Sequence, residues 1–364
     1  MATEKMIYNN LILNQKIWNQ LEVMVQNNKL PHALLFHGND GIGKEAHALE
    51  LAGLLNNTND TAQLAKIKNF QHPNIHLIIP MPREKTINKK SSAIDCLTDK
   101  SLNHLIEMKK NKMSAPYALI QFEKRSSILI NSIRDINKNI HLGAVSGSMV
   151  YIIFEAEKLC YPKVEAGNAL LKILEEPPKN TFFILVTSHK DKILDTILSR
   201  CTEFYFKNNS DEKIKKYFND YKSEYDLDLL IRLSNGSIKT IQTIINEEID
   251  IAQLIKNSKK LIKNFMTNDN WIGDYQTIET LYKSDKQTFK IFIKILIFIL
   301  HDLEKIKNKN FDCLILRNVN KTKALDYNKC IATVEEAYQK LSQNLNPSIG
   351  LFAMCIEMKK DLYK

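Results

Sequence analysis

A chain of 364 residues is too long for one ordinary domain and predicts two or three. Its 44% hydrophobic and 25% charged residues exclude a largely disordered or fibrous protein, and its most apolar run, 291–300, contains a lysine and falls short of the ~20 residues that span a bilayer. The net charge of +10 permits a polyanionic partner such as nucleic acid, although only six of the 51 basic residues are arginine, a bias that a lysine-favouring genome also produces.

In chain order, the opening "MATEKMIYNN" has no signal-like apolar run. The first predicted strand is "HALLFH" (32–37). It runs into "GNDGIGK" (38–44) and then the helical "EAHALELAGLL" (45–55). "NIHLII" (74–79) reads as a second strand, and His72 and His76, although four apart, lie at a strand entry and not on a helix, which argues against a metal site. The polar, Lys- and Ser-rich stretch 83–127 predicts an excursion over the surface. "MVYIIF" (149–154), "TFFILVT" (181–187) and "TEFYF" (202–206) complete the set. Continuous apolar runs suit strands buried on both faces, so the fold class is α/β with a parallel sheet.

Beyond residue 207 the pattern turns helical. "LDLLIRLSNG" (227–236) ends on a glycine, and "SIKTIQTIINEE" (237–248) starts from a serine cap. No proline interrupts the chain from Pro178 to Pro347. The expected division is an α/β domain over 1–206, a small helical domain over 207–250 and an all-α C-terminal domain over 251–364. Six scattered cysteines without a C-x-x-C pair argue against zinc and against a disulfide scaffold, and fit a reducing, cytoplasmic setting.

Residues 38–44 carry the chemistry. G-x-x-x-x-G-K between a strand and a helix is a phosphate-binding loop. Gly38, Gly41 and Gly43 permit tight turns and close backbone approach, the helix start offers free N–H groups, and Lys44 would reach the outer phosphates of ATP or ADP. Two departures argue against hydrolysis. The hydroxyl that should follow the lysine and hold Mg²⁺ is replaced by Glu45. The strand that should end in Asp-Glu is "VYIIFE", so Phe154 stands at the position of the metal-binding aspartate, with Glu155 after it. Nucleotide is therefore expected to bind weakly at most and without turnover.

"NKLPHALLFHGNDGIGKE" (28–45), "VEAGNALLKILEEPPKNTFFILVTS" (164–188) and "ILSRC" (197–201) resemble the AAA+ clamp-loader subunits of bacterial DNA polymerase III, and "ILINSIRDI" (128–136) adds to the likeness. The similarity covers about residues 10–240, and the helical remainder weakly. It implies an AAA+ domain with a phosphate loop, a helical lid, and a C-terminal collar that oligomerises. It also implies partners: other loader subunits of the gamma/tau and delta types, the sliding clamp, and primer–template DNA. In such rings the Ser-Arg-Cys motif gives an arginine finger to the neighbouring subunit's ATP, and the matching residue is Arg200. Thr187 matches the family's polar sensor, with a plain strand-terminal threonine as the equal alternative. Lys239 lies near the lid's sensor position. Asn168, Lys172, Glu175 and Glu176 are the outward residues of their helix. The four-cysteine zinc module of many relatives has no counterpart, so no zinc is expected. The paired losses at 45 and 154 fit the non-hydrolysing member of a ring within a DNA polymerase complex. An active loader ATPase and a stand-alone AAA+ DNA-binding protein remain the alternatives at this point.

Overall fold

The computed structural model describes residues 6–56, 60–122, 124, 126–140, 147–160, 163–219, 226–313, 315–316, 319, 321–323, 325–341 and 346–362. The chain divides into two compact units, one of residues 1–222 with 234–242 and one of 223–233 with 243–364. The interval 207–250 is thus shared between the two.

The first unit follows the order α1 (Gln15–Gln26), β1 (Ala33–Gly38), α2 (Lys44–Leu54), α3 (Thr61–Lys68), β2 (Ile75–Ile78), α4 (Asp99–Ser114), α5 (Ile130–Asn139), β3 (Met149–Ile153), α6 (Glu165–Glu175), β4 (Thr181–Thr187), α7 (Asp195–Leu198), β5 (Thr202–Phe206) and α8 (Asp211–Tyr217). Its strands form a five-stranded sheet ordered β2-β3-β4-β1-β5, and every pairing is parallel. All five predicted strands are present, each within a residue of its expected bounds at either end.

The alternation along each strand splits the core in two. Leu34, Phe36, Val150, Ile152, Ile184 and Val186 bury one face of the sheet with Ala46, Leu49 and Ala52 of α2. Leu35, Tyr151, Ile153, Phe183 and Leu185 bury the other with Ile133 of α5 and Leu170 and Ile173 of α6. Each Val, Leu, Ile or Phe among them contributes about 1.5–3 kcal/mol when removed from water. This two-sided burial is why the strands read as unbroken apolar runs.

The surface excursion expected over 83–127 is not what the chain forms. Ala93, Cys96, Leu97, Leu105, Met108 and Phe122 lie in the same core as α2. Leu105, Met108 and Lys112 share one buried face of α4. The low mean hydropathy of this segment reflects its long polar outer face, and a lysine on the inner face hides the periodicity.

The second unit holds α9 (Leu227–Ser234), α11 (Ile251–Thr267), α12 (Trp271–Ser284), α13 (Lys286–Lys307), α14 (Tyr327–Leu341) and α15 (Pro347–Leu362), and α10 (Ile238–Asn246) straddles the boundary between the units. The apolar run 291–300 lies within α13, where Ile291, Phe292, Ile295, Leu296, Ile299 and Leu300 are buried. Among the described residues no helix is long and apolar enough to cross a membrane.

Candidate functional site

The phosphate loop leaves β1 at Gly38 and enters α2 at Lys44. Gly38 has φ 144°, and a Cβ there would meet the Phe206 carbonyl oxygen at 2.3 Å. The loop therefore needs glycine on purely steric grounds. Lys44 is only 5% exposed. Its ammonium donates to the carbonyls of Gly38 at 3.0 Å and Asn39 at 2.5 Å, and to Ser188 Oγ at 3.1 Å. All three protons have partners, and a phosphate would have to displace them. Burial lowers its pKa to about 8, an effect that Asp40, Glu45 and Glu157 partly offset.

The start of α10 is seated on the loop. A Cβ on Gly41, whose φ is 71°, would lie 2.2 Å from Ser237 Oγ and 2.7 Å from Lys239 Cβ. The Lys239 N–H donates to the Gly41 carbonyl at 3.4 Å, and its ammonium lies 2.9 Å from Asp40 Oδ2. Lys239 thus meets the loop through a carboxylate. Ser237 caps α10 by accepting from the Thr240 N–H at 3.2 Å, as its sequence context predicts.

The two positions that would hold Mg²⁺ are joined by one residue. Lys112 of α4, 1% exposed, places its ammonium 2.5 Å from Glu45 Oε2. It also donates to the carbonyls of Ala118 at 2.8 Å and Pro116 at 3.1 Å. The same ammonium lies 5.6 Å from the centroid of the Phe154 ring, which is itself buried. A divalent ion here would find no hydroxyl at 45, no carboxylate at 154, and an ammonium already in place. The residues do not fit the metal. Glu155, in the left-handed region at φ 48°, bonds Lys158 at 2.8 Å, and burial raises its pKa.

Thr187 sits at the end of β4 beside His37 of β1. Its hydroxyl donates to Glu157 Oε2 at 2.6 Å and accepts from the His189 N–H at 2.9 Å. The neighbouring Ser188 is the residue that meets Lys44, and sequence reasoning missed it.

Arg200 lies at the other end of the sheet. β5 runs parallel to β1, with Gly38 beside Phe206 and Leu34 beside Thr202. Arg200 lies in the turn that precedes Thr202, so the length of β5, about 13 Å, separates it from the loop end. Its guanidinium bonds Glu175 Oε1 at 2.6 Å and the Thr196 carbonyl at 2.7 Å. The Arg200 side chain is 33% exposed and that of Glu175 is 50% exposed. Asn168, Lys172 and Glu175 on α6, and Glu176 at its C-cap, are all exposed, as their pattern predicts.

Among the described residues, no group of three His, Cys, Asp or Glu side chains could hold a metal ion. His76 stacks on Tyr151, and the His72 ring accepts from the Asn74 N–H.

The family described as DNA polymerase III, delta subunit, matches residues 13–210, more than half of the chain. The DNA polymerase III subunit delta' of Bacillus subtilis (strain 168) is 24% identical over 358 residues, covering 92% of this chain and 92% of that one. Subunit tau of the same organism is 24% identical over 369 residues, 95% of this chain and 56% of the tau chain. Subunit tau of Escherichia coli (strain K12) is 32% identical over 139 residues, 36% of this chain and 21% of that protein.

Proposed function

This chain belongs to the DNA polymerase III delta-subunit family, and from that premise we propose that it is the delta-prime-like subunit of a clamp loader. In this reading it assembles in the cytoplasm with gamma/tau- and delta-type subunits to place a sliding clamp on primer–template DNA. It hydrolyses no ATP itself, its phosphate loop holds ATP or ADP weakly at most, and it uses no zinc. Residues 251–364 serve as the oligomerising collar and 207–250 as the lid.

The observation that carries this reading is the position of Arg200. It stands in the Ser-Arg-Cys motif at the sheet end opposite its own phosphate loop, so it cannot serve that loop. An exposed ion pair is worth about 0–1 kcal/mol, so Glu175 surrenders the guanidinium readily to a stronger anion. A planar fork of N–H donors then fits two oxygens of a neighbour's γ-phosphate and stabilises the charge that spreads over them as the terminal bond loosens. The substitutions at 45 and 154 support the absence of hydrolysis in this chain.

The test uses a reconstituted loader in which only the neighbouring subunit keeps a working ATP site. R200A should slow turnover at that site by about 10³-fold, and R200K should not restore it, since an ammonium lacks the fork. Turnover within twofold of the wild type in R200A would refute the finger role. The isolated chain should show no ATP turnover, and K44A should leave loader turnover unchanged.

A further inference from the structure

We propose that the Lys112 ammonium is a resident cation in the place a hydrolytic phosphate loop gives to its divalent metal, so that this loop binds no divalent ion with or without nucleotide. The inference rests on reading residues 38–44 as a phosphate loop and is independent of the clamp-loader assignment.

Three oxygens converge on one point: a carboxylate oxygen of Glu45 at 2.5 Å and the carbonyl oxygens of Ala118 at 2.8 Å and Pro116 at 3.1 Å. These are hard donors of the kind that hold Ca²⁺ or Mg²⁺. The point they define adjoins both metal positions, since Glu45 follows the loop lysine and the Phe154 ring faces the same ammonium. An ammonium with three protons and three oxygen partners is fully satisfied there. The buried Lys112 ammonium without that carboxylate would be an uncompensated charge, so Glu45 and Lys112 function as a unit.

The exchange also alters the field at the loop. In a hydrolytic site one aspartate and one Mg²⁺ leave an excess positive charge facing the phosphates. Here one glutamate and one lysine leave none. Phosphate attraction is weaker by a full charge and insensitive to the concentration of divalent metal. Phe154 completes the device, because its apolar ring keeps a second carboxylate, and the water it would carry, away from the ammonium.

Mn²⁺ serves as the probe, followed by electron paramagnetic resonance on the full chain with and without ADP. The wild type should bind none at the loop. The double variant K112A/F154D keeps Glu45 and both carbonyls and adds a carboxylate, and its Mn²⁺ affinity should rise by about tenfold or more. Adding E45A to that variant should abolish the gain. Equal Mn²⁺ binding by the wild type, or no gain in the double variant, overturns the proposal. A merely structural ion pair would lower stability without creating a metal site. If circular dichroism shows that the double variant does not fold, K112A carries the test. Its thermal midpoint should recover in methylammonium and not in the bulkier tetramethylammonium, and equal behaviour in the two salts overturns the proposal. Neither assay involves Arg200 or a partner subunit, so failure here and failure of the loader reading are separable.

Discussion

His47 and Glu50 sit three residues apart on the buried side of α2 and titrate in opposite senses. The His47 Nδ1–H donates to the Gly43 carbonyl at 2.8 Å, and Nε2 accepts from the Asn14 N–H at 2.9 Å. Protonating Nε2 would destroy the second bond in a buried site, and burial holds its pKa down at about 4. The unfolded chain takes this proton first, near pH 6.5. The histidine's contribution is therefore complete above that value and is lost as pH falls towards 4. Burial pushes Glu50 up to about 7, despite bonds from the N–H groups of Ile7 and Tyr8. Here the folded chain takes the proton first, so the contribution is complete below about pH 4.3 and is lost as pH rises through 7. Each effect is worth about 3 kcal/mol, and between pH 4.3 and 6.5 they offset one another. E50Q should unmask the histidine: urea unfolding of this variant should show stability rising by about 3 kcal/mol from pH 4 to 6.5, against a nearly level wild type. Matching profiles for the two proteins would rule out the Glu50 assignment.

At the scale of elements, α4 separates what could be read from what could not. Strands buried on both faces announce themselves, and Thr181–Thr187 and Thr202–Phe206 coincide with their apolar runs. The loop was equally legible, because glycine spacing and the following lysine have one steric meaning. Arg200 could be named from its motif, but its distance from the loop needed the strand register. α4 was missed because its buried stripe is Leu105, Met108 and Lys112, and a lysine counts as surface in any hydropathy reading. Glu45 was legible only as a lost hydroxyl after the loop lysine, and its partner on a distant helix explains what it does there. If α4 belongs to the core, L105A should cost about 2–4 kcal/mol in chemical denaturation. A change below 0.5 kcal/mol, the ordinary range for an exposed site, would return the segment to the surface. The start of α10 gives a second test. G41A would drive a Cβ into Ser237 Oγ and strain a φ of 71°, so it should speed hydrogen exchange over 234–242 while leaving the sheet amides protected.

Over the whole molecule, the two units carry different kinds of unfinished business. In the first, the end of the sheet that should bind nucleotide is closed by its own side chains: Lys44 on loop carbonyls, Lys112 on Glu45, Lys239 on Asp40. The opposite end presents Arg200 on an exposed and weak ion pair. In the second unit, the apolar interior of α13 is fully used, yet Ile349 remains 68% exposed, Ile272 53% and Phe352 39%. They lie on α12 and α15, which the Phe352 ring joins by packing against Trp271 and Tyr275, at centroid distances of 5.9 and 5.1 Å. Large apolar side chains left in water are costly for a monomer, and such a surface suits cover by another protein. A collar would cover it with a neighbouring subunit, and aromatic anchors at its centre would carry most of the binding. I349D places a charge in that contact without touching the unit's core. It should therefore leave the thermal midpoint within about 2 °C of the wild type, since an exposed substitution costs little in the isolated chain. The same variant should weaken association with the partner subunits by about tenfold or more, measured by sedimentation of the reconstituted loader. A loader that assembles normally with I349D would exclude this face from the collar, and would leave the role of Arg200 intact, because the two predictions rest on separate units of the chain.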